Sequence, residues 1–157
     1  MHVKGFRKLC RITTDKFSNL RYFSPVFLFL HMLQKKIIHE YVIGIGSNQD
    51  SAMKNVETAF EFLKQKFDVV VFSDIIPTRA VGMQVDCVFL NAVAKIKTSM
   101  TPVQLKLFLK EMEKQMGRIP HSEDVLIDLD IILADGRVVH EDYENREFIR
   151  KLIEKVE

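Results

Sequence analysis

Leu126-Ile-Asp-Leu-Asp-Ile-Ile-Leu133 is an apolar run broken only by Asp128 and Asp130. Acids at i and i+2 inside apolar sequence read as a β-strand, because side chains alternate between a strand's two faces. Both carboxylates therefore leave one face, roughly 6.5–7 Å apart along the strand. Two anions so close repel each other unless a cation lies beside or between them. A hard cation such as Mg²⁺, seated by one or two carboxylates plus substrate phosphates, is the natural partner. A half-buried strand with an acidic solvent face would show the same spacing, so the rest of the chain has to decide.

Upstream of this strand, Thr101-Pro-Val-Gln104 is a helix start, with a Thr N-cap, Pro at the first helical position and Gln completing a capping box. The helix is expected to run to about Met116, with Leu105, Phe108, Met112 and Met116 on one face and Gly117 as its stop. Before it, Val88–Lys97 reads as a strand, Thr78–Cys87 as a loop, and Asp68–Ile76 as a strand stopped by Pro77. Met53, Val56, Phe60, Leu63 and Phe67 recur at helical spacing, which predicts an amphipathic helix from Asp50 to about Phe67. Tyr41–Gly46 is an apolar strand whose glycines are expected to permit a tight strand-to-helix turn. Gly44-Ile-Gly46 lacks the Gly-Lys-Ser/Thr of a Walker loop and the third glycine of a dinucleotide fingerprint. Downstream of the aspartates come the turn Asp135-Gly136, a return strand Arg137–His140 and a last helix over Glu144–Val156. The order predicts an α+β fold, a ferredoxin-like (split βαβ) antiparallel sheet backed by helices. Such a fold hosts many functions and by itself names none.

Composition narrows the classes. The 157 residues, 47% hydrophobic and 28% charged, are those of a soluble globular domain. Residues 1–40 carry eight Lys/Arg against Asp15 and Glu40, hence +6, which leaves −4 for the remainder of a chain of net charge +2. The basic character belongs to this leader and not to the body, which argues against nucleic acid as partner. Residues 1–40 are read as a leader outside the domain, disordered or a non-native extension, with residues 41–157 as the domain. A targeting or membrane-associating arm is the other reading of the leader. Its apolar run Pro25–Leu30 is far too short to span a bilayer. Cys10 and Cys87, the only cysteines, offer no zinc-ligand spacing. A cytoplasmic monomer without a membrane partner is expected.

Four pieces then fall in one order: Gly44-Ile-Gly-Ser-Asn48, Thr78-Arg-Ala-Val-Gly82, Phe89-Leu-Asn-Ala92, and Gly117-Arg118 followed by Ile127-Asp-Leu-Asp-Ile131. In order and spacing the chain resembles the 6-hydroxymethyl-7,8-dihydropterin pyrophosphokinase family of folate biosynthesis, over roughly residues 41–148. The resemblance implies transfer of pyrophosphate from ATP to the pterin alcohol by two-metal catalysis. It implies that Asp128 and Asp130 hold two Mg²⁺ ions and act with Arg118 in catalysis. It places Thr78, Val81, Phe89, Asn91 and Phe148 around the pterin, and Glu113, Arg118, Ile131, His140 and Arg146 around the nucleotide. An aromatic face suits a flat heteroaromatic ring, and an amide offers its edge both a donor and an acceptor.

The chain also departs from that pattern. The family's arginine-rich, tryptophan-bearing loop is replaced by Ile119-Pro-His-Ser-Glu-Asp-Val-Leu126, which has no arginine or tryptophan and adds Glu123 and Asp124. Losing phosphate donors and gaining carboxylates beside a polyanion predicts weakened ATP binding or transition-state stabilisation. Matching His140, Arg146 and Phe148 to the family requires a contraction before His140. Otherwise Phe148 and Leu152 belong to a terminal helix packed on the sheet. The alternative function is a non-catalytic relative that binds a pterin or a protein partner.

Overall fold

The computed structural model describes residues 37–67, 70–79 and 87–157, so residues 1–36 of the leader (Cys10 among them), Val81 and Gly82 lie outside the described residues, while His39 and Glu40, at the leader's end, already belong to the first strand. The elements are β1 (His39–Ser47), α1 (Ala52–Lys66), β2 (Val70–Phe72), β3 (Ile76–Arg79), β4 (Val88–Thr98), α2 (Pro102–Gln115), β5 (Asp128–Ala134), β6 (Arg137–Val138), α3 (Asp142–Asn145) and α4 (Glu147–Ile153). They form one sheet in the order β2-β4-β1-β5-β6, with β3 also paired to β4. All the pairings are antiparallel. With β2 and β3 as one interrupted edge, this is the expected split βαβ layout with β6 appended.

The two faces of the sheet are closed differently. Tyr41, Ile43 and Ile45 of β1, Ala92, Ala94 and Ile96 of β4 and Leu129 of β5 are buried against α1 (Val56, Ala59, Leu63) and α2 (Leu105, Leu109, Met112). On the opposite face Val42, Val93 and Ile132 pack against Ile149, Leu152 and Ile153 of α4. That short helix covers only one end of its face. The other end, where Gly44 and Gly46 lie opposite Asp130 and Asp128, stays open.

Several expectations need correction. The strand expected over Asp68–Ile76 is two strands, and Pro77 lies inside the second of them. Ser73 separates the two: its N–H donates to Val93 O (3.0 Å) while its hydroxyl accepts from Val93 N (2.9 Å). The side chain thus replaces a ladder carbonyl, and Pro77 is tolerated because β3 is an edge strand. Thr78 and Arg79, expected in a loop, extend β3 and pair with Phe89 and Val88. Gly44 and Gly46 do not make a turn; they are extended residues within β1. Met53 faces solvent, and Ala52 and Ala59 take the buried positions of α1. The return strand stops at Val138. The single last helix is α3 and α4, separated by Arg146 in an extended conformation. Arg150 Nη1 donates to Tyr143 O (2.6 Å) and Glu144 O (3.0 Å), satisfying carbonyls that a continuous helix would have used.

Candidate functional site

Asp128 and Asp130 stand on the open face of β5, beside a β1 that has no side chain at Gly44 or Gly46. A Cβ at Gly46 would lie 3.0 Å from Asn91 Oδ1 and 3.7 Å from Phe89 Cδ1, and one at Gly44 would lie 3.1 Å from Ile132 Cδ1. The glycines therefore make room. The hollow they open, about 40 Å³, is lined by Phe89, Asn91, Asp128, Asp130, Ile132, Asp142, Arg146 and Ile149. Asn91 is buried and donates from Nδ2 to Thr78 Oγ1 at 2.7 Å, so β3 fixes the amide's orientation.

A second cavity, about 220 Å³, lies where α2 meets the outer edge of the first half of β5, which β6 does not reach. Pro102, Val103, Lys106, Leu109, Leu129, Ile131, Val139 and His140 line it together with Asp130. Asp130 is thus common to both spaces. The edge of β5 is held here by α2: Leu129 N–H donates to the buried Glu113 Oε1 at 2.8 Å. Burial pushes the Glu113 carboxyl up, against the lowering effect of its hydrogen bonds from Lys110 and Leu129.

Helix α2 also delivers the cations. Gly117 (φ +98°) ends it in a left-handed turn in which Gly117 N–H donates to Lys114 O and Arg118 N–H to Glu113 O, both at 3.0 Å. This reversal returns Arg118 to the site, with Nη2 3.5 Å from Asp128 and Nε 3.7 Å from Glu113. Among the described residues, Arg118 Nη1 is the buried side-chain nitrogen left without a hydrogen-bond partner. Lys110 Nζ lies 2.7 Å from Glu113, 3.3 Å from Asp130 and 3.7 Å from Asp128. Burial lowers the Lys110 pKa, but the bond to Glu113 and the charge of Asp130 outweigh it, so the amine sits above its ordinary value. Asp128 is pushed up by burial and by Asp130, which Lys110 and Arg118 only partly offset.

The expected residues fall into distinct groups. Asp128, Asp130, Phe89 and Asn91 meet at one hollow, and Thr78 supports it through Asn91. Ile131 and His140 meet at the larger cavity, while Glu113 and Arg118 flank the aspartates from α2. Arg146, expected near the nucleotide, lines the hollow of Phe89 and Asn91 and is held by Asp142 at 2.9 Å. Phe148 does not line that hollow; as a residue of α4 it is half-buried against the core of that face. Lys110 and Asn48 were not foreseen from sequence. Asn48 ties down the substituted loop, donating from N to Val125 O (3.0 Å) and from Nδ2 to Glu123 O (2.9 Å), and accepting from Val125 N at 2.6 Å. The signal for Lys110 was its place one helical turn before Glu113, on the same side of α2. No helix among the described residues is long and apolar enough to cross a membrane.

The family model for 7,8-dihydro-6-hydroxymethylpterin-pyrophosphokinase matches residues 42–157. The chain belongs to this pyrophosphokinase family. The match extends through α4, beyond the stretch on which the sequence resemblance rested. A 2-amino-4-hydroxy-6-hydroxymethyldihydropteridine pyrophosphokinase of Aquifex aeolicus is 32% identical over 99 residues, covering 62% of each chain. The protein of the same name from Haemophilus influenzae is 29% identical over 119 residues, 68% of this chain and 74% of its own. A folate synthesis bifunctional protein of Arabidopsis thaliana is 33% identical over 87 residues, 55% of this chain and 18% of its own. The chain thus spans just under two thirds of the Aquifex relative and a small part of the bifunctional one.

Proposed function

We propose that this chain transfers the pyrophosphoryl group of ATP to the hydroxyl of 6-hydroxymethyl-7,8-dihydropterin, with release of AMP. The observation that carries this reading is Asp130, a carboxylate shared by two spaces that lie on either side of β5. An enzyme joining two substrates needs a place where they meet, and family membership supplies the identity of each substrate. The apolar cavity with Ile131 and His140 suits a nucleobase, and the hollow with Phe89 and Asn91 suits the pterin. At about 40 Å³ that hollow is narrower than a bicyclic ring, so the pterin must displace the side chain of Phe89 or Arg146 to seat.

The donor set fits Mg²⁺: two carboxylates with cations beside them and, among the described residues, no cluster of three or more His, Cys, Asp or Glu that would satisfy a metal without substrate. Asp128 and Asp130 would hold two Mg²⁺, which when bound neutralise the polyphosphate and orient the attacking alcohol. Arg118, whose Nη2 lies beside Asp128 and whose Nη1 has no hydrogen-bond partner, is placed to donate to phosphate oxygen as that charge develops. Asn91, oriented by Thr78, reads the edge of the ring.

One observation favours a second reading. The loop from Ile119 to Leu126 carries Glu123 and Asp124 instead of arginines and is anchored to Asn48. A non-catalytic relative would keep the pterin hollow and lose the nucleotide. Calorimetric titration with the pterin alcohol and with a non-hydrolysable ATP analogue in Mg²⁺ separates the two. Heat from both ligands, with the nucleotide heat abolished in Asp128→Ala and Asp130→Ala, supports transfer. Pterin heat without nucleotide heat supports the alternative.

A further inference from the structure

The Lys110 ammonium lies among the groups that would hold metal, and it belongs to two environments at once. On one side it contacts Glu113, Asp128, Asp130 and the Leu129 carbonyl, the last at 3.3 Å. On the other it lines an open groove with Glu113, Lys114, Arg118, Pro120 and His121. Its side chain is 41% exposed, so the four-carbon stem is free to turn. Glu113 does not depend on it, because Leu129 N–H and Arg118 also serve that carboxylate.

A divalent cation on Asp128 and Asp130 would repel an ammonium held 3.3–3.7 Å from the same oxygens. The groove beside Lys114 and Arg118 is the nearest outlet, and three cations against the single carboxylate of Glu113 leave it net positive and suited to an anion. The segment that supplies arginines in the family's pattern supplies none here.

We propose that Lys110 serves the aspartate pair and the polyphosphate in turn. It neutralises Asp128 and Asp130 before the metal binds. When the metal takes the carboxylates, it turns into the groove and meets substrate phosphate, offsetting part of the missing arginine charge. This rests on the reading of Asp128 and Asp130 as the metal seat.

The two halves of the proposal predict opposite effects of one substitution. Mn²⁺ binding to the full chain without nucleotide, followed by electron paramagnetic resonance, should tighten in Lys110→Met by at least about threefold. Binding of a non-hydrolysable ATP analogue with Mg²⁺, followed by calorimetry, should weaken in the same variant by at least about threefold. Lys110→Arg should restore nucleotide affinity. A merely structural lysine would move both affinities in the same direction or neither, and either result overturns the proposal. Melting curves check that Lys110→Met folds, and Lys110→Gln replaces it if it does not. Parent protein that binds no Mn²⁺, or binds it equally well as Asp128→Asn, overturns the metal seat itself. Normal parent binding with unchanged Lys110 variants overturns only the role of Lys110.

Discussion

At Asp128, burial and the neighbouring carboxylate of Asp130 together hold the acid above its ordinary range. A raised carboxyl binds its proton more tightly folded than unfolded. Its favourable contribution is therefore present below the unfolded pKa and is lost as pH rises through the folded one. Asp128→Asn removes that loss. In metal-free buffer the variant should melt above the parent at pH 7, and the gap should close below about pH 4. A variant that melts lower at pH 7 would show that Lys110 and Arg118 already compensate the charge. Gly46 gives a second test at this scale. Gly46→Ala crowds Asn91 Oδ1, a fixed polar atom, and should raise the pterin KM by about tenfold or more. Gly44→Ala meets the Ile132 side chain (Cδ1 3.1 Å, Cγ1 3.2 Å) and lies in ordinary contact with Asp130 O (3.8 Å), so it should raise that KM less than Gly46→Ala does. The aspartates were legible in sequence because alternation along a strand is local. The glycines were misread as turn formers because their role lies in Asn91 and Ile132, on neighbouring strands.

Among the elements, α2 positions most of the charged site. Its start was legible from Thr101 and Gln104, whose reciprocal capping bonds involve only residues three apart (Thr101 N–H to Gln104 Oε1, 2.9 Å). Its end sets the direction of Arg118. Gly117→Ala forces a side chain into φ +98° and should cost about 1–2 kcal/mol in urea denaturation. It should also lower kcat, because the turn that returns Arg118 is disturbed. Gly136→Ala, at φ +74° in the β5–β6 turn with open space around it, should cost stability without touching kcat. Equal losses of kcat in both variants would mean that Arg118 is not placed by this turn. The break between β2 and β3 could not be read in advance, because Ser73 makes it by bonding to Val93, twenty residues away in sequence. The break between α3 and α4 likewise depends on where the Arg150 guanidinium goes, which no helical period records.

For the whole molecule, the unequal covering of the sheet creates the site. Two helices close one face, and α4 covers only part of the other, leaving Asp128, Asp130 and Phe89 accessible beside the buried Asn91. The arginine-poor loop is not free to rearrange at will, since Asn48 and Asn55 hold its carbonyls at Glu123, Val125 and Leu126. On the proposed function, this reduced loop still leaves a working transfer site around the aspartate pair. Chromatographic measurement of AMP and pterin pyrophosphate, from full chain incubated with ATP, Mg²⁺ and the reduced pterin alcohol, tests it most directly. Equimolar formation of the two products is expected, abolished in Asp128→Ala and Asp130→Ala. No AMP from the parent, or AMP formation unmoved by either substitution, would contradict it.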